Sequence, residues 1–536
     1  MKLSEVVNMI KTVIFDMDGT LINSDALVEK IYRELVKEYP PIISFDSLDL
    51  NQVMALSYIE VIKILYGDVK PIYLDYIMYV HAKEKKGQLA IFPEVIPMLK
   101  DLKNQGMYLA VVTSELREIA IDEMQILGIL HYFNEVVAFD DVTHPKPHPE
   151  GILRILEHSH AQPYEAIMVG DQLSDAFAAE KAHVMSILMG WDENKVKSMA
   201  IHYDDVAMNT TQVLDIIKNR QQLKLKFNQD GILTLCQITD LHLMHDEKNL
   251  SAKTLINSMV NHIHPDFIAL TGDQTMGEHG KMSYHQLGQW MDEINIPYGF
   301  VFGNHDTEGG SYESLISAIQ PSKTLMFTSG PKHLGYSNYW LEVYEGKEIK
   351  ALIIMMDSHI DAMYEIDNQK VWGYGSIDQA QMMWYERLSN RYPNIPSLLF
   401  LHIPPYEVRH IKQSEVIGVY EESPSTPPVD FGFVKLVQSL GHTQAIFFGH
   451  DHYNDFIYSD HGLMLAYGRV SGYYVYGREG FTPGTRWIKL STKGNVTTGI
   501  LTMDQLHKVY WYDDLKKPNK AFFHLKICCH ILIELI

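Results

Sequence analysis

Five short apolar runs in the later part of the chain each end on a residue able to hold a metal ion. Leu233–Thr239 stops at Asp240, Phe267–Thr271 is followed by Gly272-Asp273, Tyr298–Phe302 by Gly303-Asn304, Ser397–Leu401 by His402, and Ala445–Phe448 by Gly449-His450. Runs this short, separated by amphipathic stretches, predict strands alternating with helices. Side chains at strand ends can meet on one sheet edge when far apart in sequence, so the pattern predicts a donor cluster built by the fold. The same alternation runs earlier, with strands expected at Thr12–Phe15, Tyr108–Val112 and Ala166–Val169. The fold class is therefore α/β. Between Thr20 and Phe92 the pattern is helical (Ala26–Lys37, Asn51–Tyr66) and predicts an insert after the first strand.

A break falls where the helix end Ile217–Gln222 runs into Leu223–Asn228, and Asp230-Gly231 predicts a hairpin turn before Ile232–Thr239. The expected division is 1–220 with a helical cap at about 24–88, then 222–492, then a tail over 493–536 without a readable motif. The tail's apolar end (Ile527, Ile531, Leu532, Leu535) is suited to packing on a domain or a partner.

With 536 residues, the chain has room for about three to four domain-sized units. Its net charge is −22; residues 1–220 carry 20 basic and 33 acidic side chains, and the remainder 25 and 34. That acidity argues against a nucleic-acid backbone as the main partner, which needs a basic stripe. The three cysteines, Cys236, Cys528 and Cys529, make neither a disulfide framework nor a thiolate metal site. The sequence shows no signal-peptide core and no apolar run long enough for a bilayer, so the expected location is cytoplasmic, without a membrane.

In Val13-Ile-Phe-Asp-Met-Asp-Gly-Thr-Leu21, two carboxylates stand at i and i+2 directly after a strand, and Gly19 lets the chain turn away. Asp16 can attack a phosphoryl group and Asp18 can protonate the leaving oxygen. Such dense negative charge calls for magnesium and a lysine. Thr113-Ser114, Lys146 within His144-Pro-Lys-Pro-His-Pro149, Gly170-Asp171 and Asp175 follow in order. The set resembles the phosphatase branch of the haloacid dehalogenase superfamily, over roughly residues 10–220, closest to phosphoglycolate phosphatases and related small-phosphate hydrolases; a sugar-phosphate mutase is a weaker option. The resemblance implies a Rossmann-like parallel sheet and a helical cap that closes over substrate. It implies Asp16 as nucleophile and Asp18 as general acid/base. Thr113, with Ser114 beside it, would bind phosphate, and Lys146 would neutralise charge. Asp16, the Asp18 carbonyl and Asp171 would be Mg2+ ligands, and Asp175 would support that ion or Lys146.

The later donors are Asp240-Leu-His242, Asp273, Gly303-Asn-His-Asp306, His402 and Gly449-His-Asp-His452. Two divalent cations need one shared anionic ligand and surrounding N/O donors. Asp273 is the expected bridge, with Asp240, His242 and His452 completing one site and Asn304, His402 and His450 the other. A hydroxide held between the ions would attack phosphorus. His305 lies outside the ligand set and is expected to protonate the leaving oxygen or donate to the phosphate, oriented by Asp306. These motifs resemble the calcineurin-like metallophosphoesterase superfamily over about 222–492, within it the purple-acid-phosphatase-related branch. The implied fold is a β-sandwich flanked by helices. Met276 stands where that branch's tyrosine ligand would be, so a tyrosinate–ferric site is not expected, and the two metals are drawn from Mn2+, Zn2+ and Fe.

Tyr374, Trp384 and Tyr385, with Tyr473, Tyr474 and Tyr476, are weighed as core or as the mouth of this site, with core favoured. Arg469, Arg478 and Arg486 are candidates for phosphate contact, and Glu421–Pro428 is a turn-rich candidate lid. The reading is a bifunctional phosphohydrolase. The N-terminal half would act on small phosphomonoesters through an aspartyl-phosphate, and the C-terminal half would be a di-metal phosphoesterase. Small phosphorylated substrates are the expected partners, a phosphoprotein a further candidate. Two alternatives stay open: the C-terminal half is a phosphodiesterase for cyclic nucleotides or other diesters, or one half is a non-catalytic regulatory module.

Overall fold

The computed structural model describes residues 10–48, 53, 56, 58–191, 193–244, 246–473 and 481–505. Cys528, Cys529, Tyr474, Tyr476, Arg478 and the apolar end of the tail lie outside the described residues. The chain divides into two compact units, one running to Gln222 and taking in Met383–Tyr392, the other comprising Leu223–Met382 and the chain from Pro393.

The first unit is built on β1 (Thr12–Phe15), β4 (Tyr108–Val112), β5 (Glu135–Val137), β6 (Ala166–Gly170), β7 (Met185–Met189) and β8 (Asp205–Ala207), while β2 (Ile22–Asn23) pairs with β3 (Ala90–Ile91). The six strands form one sheet in the order β5-β4-β1-β6-β7-β8, every pair parallel. Strands β1, β6 and β7 are buried at every residue. Their near-continuous apolar character follows from being covered on both faces. Because β1 lies between β4 and β6, the residues that follow these three strands, Asp16, Thr113 and Asp171, come together at the carboxyl edge, where open parallel sheets build their sites. The helical insert leaves after β2 and returns at β3. Its helices Asp25–Glu38, Tyr58–Tyr66 and Pro71–Gln88 share a core of Leu27, Ile31, Leu35, Val61, Ile62 and Leu65.

The second unit contains β9 (Lys224–Lys226), β10 (Ile232–Ile238), β11 (Phe267–Thr271), β12 (Tyr298–Val301), β13 (Tyr339–Glu345), β14 (Glu348–Met355), β15 (Asp361–Ile366), β16 (Gln369–Tyr374), β17 (Ser397–Phe400), β18 (Thr443–Phe448), β19 (Ile457–Asp460), β20 (Leu463–Tyr467), β21 (Gly484–Ser491) and β22 (Val496–Thr502). A five-stranded sheet runs β12-β11-β10-β21-β22, a seven-stranded sheet β19-β20-β18-β17-β14-β13-β9, and β15 pairs with β16 as a separate hairpin. Alternation decides which residue faces where. Leu233 and Leu235 of β10, Phe267 and Ala269 of β11, and Ile488 and Leu490 of β21 pack against Leu341, Ile353 and Leu398 of the facing sheet. Their sequence neighbours Cys236, Ile268, Leu270 and Trp487 pack on Leu255, Met259 and Leu287, from the helices Lys248–Ile263 and Gly280–Ile294.

Two expectations change. The turn at Asp230-Gly231 does not close a two-stranded hairpin, because β9 joins β13 and β10 joins β11 and β21. The turn hands the chain from one sheet to the other. The stretch read as a featureless tail begins with β22, which pairs with β21 from Gly484↔Thr502 to Leu490↔Val496. Its Val496-Thr-Thr-Gly-Ile-Leu-Thr502 carries too few apolar residues to stand out as a run. Phe267, fully buried between the sheets, tests this packing: Phe267→Ala is expected to cost about 3–5 kcal/mol, read as a lower urea midpoint for the second unit's transition.

Candidate functional site

In the first unit Lys146 Nζ lies 2.6 Å from Asp16 Oδ1 and 2.6 Å from Asp175 Oδ1, with all three side chains buried. Asp175 also accepts the backbone amides of Asp171 and Gln172 through Oδ2, at 3.1 and 2.9 Å. Asp171 accepts from the Thr20 hydroxyl and from Gln172 Nε2, both at 2.9 Å. Asp16, Asp171 and Asp175 present oxygens within 4.8 Å of one another. Gly19, at φ +74°, passes so close to Asp171 that a Cβ would lie 2.4 Å from Oδ2. The glycine of the DxDGT motif is thus a packing requirement as well as a turn.

Burial, then Asp175, push the Asp16 carboxyl up to about 8 against the pull of Lys146. Burial and Glu123 push Asp18 well above the carboxylate range, while its hydrogen bond from Ser24 opposes this. Desolvation and mutual repulsion therefore favour a neutral Asp18, the form that donates a proton. Asp16, Asp18, Thr113, Ser114 and Lys146 all line a cavity of about 70 Å3, shared with Tyr32, Tyr58 and Glu115.

In the second unit the donors fall into two buried triads, Asp240–His242–His452 and Asp273–His402–His450, each with ligand atoms within 4.8 Å of one another. Asp273 Oδ2 is 3.2 Å from His402 Nε2 and 3.9 Å from His242 Nε2, so it faces both triads. Asn304 Oδ1 is 3.2 Å from His402 Nε2. Asp240, His242, Asp273 and His450 all have left-handed backbones, at φ +54°, +47°, +52° and +78°. Each such conformation costs a non-glycine residue of order 1–2 kcal/mol. Second contacts aim the ligands: His402 Nδ1 donates to the Thr271 carbonyl at 2.9 Å, and the Thr239 hydroxyl donates to Asp240 Oδ2 at 2.7 Å. Gly272 lies against the His402 ring, where a Cβ would sit 2.3 Å from Nδ1.

Burial pushes His242 down to about 4, and burial with His402 nearby pushes His450 down to about 3, so both rings are neutral. Burial also opposes charge on His402, but Asp273 and Asp240 raise it to about 10. Asp240, despite burial, is held at about 2 by His452 and His402. His450 Nε2 and His242 Nδ1 are buried without a hydrogen-bond partner. Neutral imidazoles, two carboxylates and an orphaned ring nitrogen make a donor set that fits divalent cations.

His305 stands beside the triads, its ring 5.4 Å from that of His242, and its amide donates to Asp273 Oδ1 at 2.8 Å. Asp306 does not orient it. Asp306 is buried and accepts the amides of Asp273, Gly303 and Thr275 at 3.0, 2.8 and 3.0 Å, which pins the two ligand loops together. Glu308 contacts His305 Nδ1 instead, at 2.6 Å. The i,i+3 spacing in the short turn Asp306–Gly309 is the signal that would have found it. Two arginine candidates are committed elsewhere: Arg469 pairs with Asp455 at 2.8 Å, and Arg486, fully buried, donates to the carbonyls of Tyr467 and Asp455. Trp384 and Tyr385 are core residues, whereas the Tyr374 ring sits 4.4 Å from His450. Glu421–Pro428 is tied down: the Glu421 amide donates to Asn454 Oδ1 at 3.0 Å and the Ser425 amide to Asp451 Oδ2 at 3.0 Å. These bonds argue against a free lid.

Residues 13–189 match the family described as haloacid dehalogenase-like hydrolase, and residues 233–454 the family described as calcineurin-like phosphoesterase. The pyrophosphatase PpaX of Halalkalibacterium halodurans is 30% identical over 212 residues, 39% of this chain and 97% of its own length. The PpaX of Oceanobacillus iheyensis is 26% identical over 211 residues, 39% of this chain and 97% of its own. A probable inactive purple acid phosphatase 28 of Arabidopsis thaliana is 28% identical over 305 residues, 49% of this chain and 76% of its own. No helix among the described residues is long and apolar enough to cross a membrane. The chain carries a haloacid dehalogenase-like hydrolase domain over 13–189 and a calcineurin-like metallophosphoesterase domain over 233–454.

Proposed function

We propose that the two domains hydrolyse phosphate esters by different chemistries. In the first, Asp16, whose carboxylate Lys146 and a bound cation would hold ionised, attacks phosphorus of a small phosphomonoester. The bond to the leaving oxygen breaks, Asp18 gives that oxygen its proton, and an aspartyl-phosphate remains. Asp18, now ionised, takes a proton from the water that attacks the aspartyl-phosphate, releasing phosphate and restoring Asp16. Lys146 holds Asp16 in place, and Thr113 and Ser114 meet the phosphate oxygens from the next strand. Asp16, Asp171 and the Asp18 carbonyl would hold the cation. An oxygen-only set suits Mg2+.

In the second domain, Asp240, His242, His452, Asp273, Asn304, His402 and His450 would hold two divalent ions, and mixed imidazole–carboxylate donors suit Mn2+, Zn2+ or Fe. Bound there, the ions supply an activated water and offset charge on the phosphoryl group. His305, steadied by Glu308, donates to the leaving oxygen. The observation that carries this reading is Asp273 facing both triads, with one carboxylate oxygen 3.2 Å from His402 and 3.9 Å from His242. The name of the Arabidopsis relative raises a non-catalytic C-terminal half as the alternative; the filled donor positions of this chain favour catalysis.

Two measurements test the reading. In the cation-free site His402, raised to about 10, carries a proton throughout the neutral range. Cation binding requires its Nε2 lone pair and must expel that proton. Titrating Mn2+ into cation-free protein that carries Asp16→Asn and Asp171→Asn, near pH 7.5 and in buffers of differing ionisation enthalpy, is expected to show two ions per chain and release of at least about one proton, with affinity rising with pH. Binding without proton release would overturn the ligand role of His402. The second measurement is turnover of a small phosphomonoester, an aryl phosphodiester, cyclic AMP and a phosphopeptide with Mg2+, Mn2+ or Zn2+. Asp16→Asn is expected to reduce Mg2+-supported monoester turnover to background, and His305→Ala to lower the Mn2+- or Zn2+-supported reaction about 10²- to 10³-fold. Parent-like rates in either variant would refute its assignment.

A further inference from the structure

The cavity over Asp16 has an unusual charge balance for a site that must take an anion. Its charged lining is Asp16, Asp18, Glu115 and Lys146, and the ammonium of Lys146 is already shared between Asp16 and Asp175. Four neighbouring carboxylates have partners: Asp16 has Lys146, Asp18 has Ser24, Asp171 has Thr20 and Gln172, and Glu123 has His81. Glu115 differs. Its Oε1 accepts only the adjacent Leu116 amide, at 2.7 Å, and among the described residues no Lys, Arg or His lies within ion-pair distance of it, so burial and then Asp18 push its carboxyl well above the usual carboxylate range. The Glu115 amide donates to Thr113 Oγ1 at 3.0 Å, which fixes this carboxylate two residues from the phosphate-binding position. Opposite, from the cap, come Tyr32 and Tyr58, buried and edge-to-face with ring centroids 5.6 Å apart.

A carboxyl group that no cation offsets and two aromatic rings around one small cavity form the combination that recognises an ammonium group, which draws the carboxyl back to its ionised form and meets the ring quadrupole. A second anionic group on the substrate finds no free cation on this wall, and the acidic surroundings of residues 1–220 oppose it at longer range. Resting on the phosphatase reading of this site, we infer that the leaving group of the N-terminal substrate is a small amino alcohol. The substrate class is an aminoalkyl phosphomonoester, with Glu115 as the residue that selects it. Pyrophosphate, named in the relatives, and phosphoglycolate place a second anion where Glu115 stands and are disfavoured.

The test compares kcat/KM of the Mg2+-loaded full chain for 2-aminoethyl phosphate, glycerol 3-phosphate, phosphoglycolate and pyrophosphate. The first two differ chiefly in the charge of the leaving group. The parent is expected to prefer 2-aminoethyl phosphate over phosphoglycolate and over pyrophosphate by at least about tenfold. Glu115→Gln should shrink the ratio of 2-aminoethyl phosphate to glycerol 3-phosphate at least about fivefold, and Glu115→Lys should turn the preference toward phosphoglycolate. Calorimetric binding of 2-aminoethyl phosphate to Asp16→Asn, with and without Glu115→Gln, reads the same selection without turnover. A parent that favours phosphoglycolate or pyrophosphate, or ratios and binding unmoved by both Glu115 variants, overturns the inference. Loss of the phosphatase reading has a separate signature, equal turnover of every substrate by the parent and Asp16→Asn, and the binding arm still decides the role of Glu115.

Discussion

A carboxylate taken out of water costs several kcal/mol unless a cation or a set of donors meets it, and both domains are organised around that cost. In the first, Asp16, Asp171 and Asp175 are buried within 4.8 Å of one another with one ammonium among them. Lys146 and the amides of Asp171 and Gln172 satisfy Asp175. What remains unbalanced is Asp16 facing Asp171, and that excess is the charge a divalent cation offsets. In the second, Asp240 and Asp273 are compensated by histidine protons that occupy the role a cation would take, which is why His402 is raised, while burial keeps His242 and His450 neutral.

The two domains reach this state by different topologies under one rule. A parallel sheet with β1 between β4 and β6 delivers three side chains to one carboxyl edge. In the second domain the donors come from both sheets, Asp240, Asp273 and Asn304 after β10, β11 and β12, and His402 and His450 after β17 and β18. Their convergence requires the chain to turn sharply just past the strand ends. The left-handed backbones of Asp240, His242, Asp273 and His450 are where that turning is concentrated. The surrounding hydrogen bonds, Asp306 joining three amides foremost, hold conformations that would otherwise relax.

Much of this was legible in the sequence, because apolar period, strand length and strand-end chemistry are local signals. The runs before Asp16, Asp240, Asp273, His402 and His450 are strands, and the insert after the first strand is a set of helices with its own core. The misreadings have a common cause: they depend on which side chain faces which neighbour. Asp306 sits next to His305 in sequence, yet its buried carboxylate is used on backbone amides, while Glu308 reaches the ring. Arg486 reads as a phosphate ligand from its charge alone, but its place in β21 turns it into the sandwich, where carbonyls take up its donors. Edge strand β22 was missed because an edge position demands less apolar sequence than a central one.

Glu115 shows why a family resemblance locates chemistry better than it locates substrate. In the proposed reaction, the residues that act at phosphorus sit on strand ends that the parallel sheet keeps rigid. Those proposed to meet the leaving group lie on the loop after Ser114 and on the inserted helices, where substitution leaves the sheet untouched. A side chain there can reverse the charge preference of the cavity without moving Asp16 or Lys146. The wall of Glu115, Tyr32 and Tyr58 must therefore be read for its own chemistry and shape, and a carboxyl group with no cation to offset it sets this cavity apart from one built for a second phosphate.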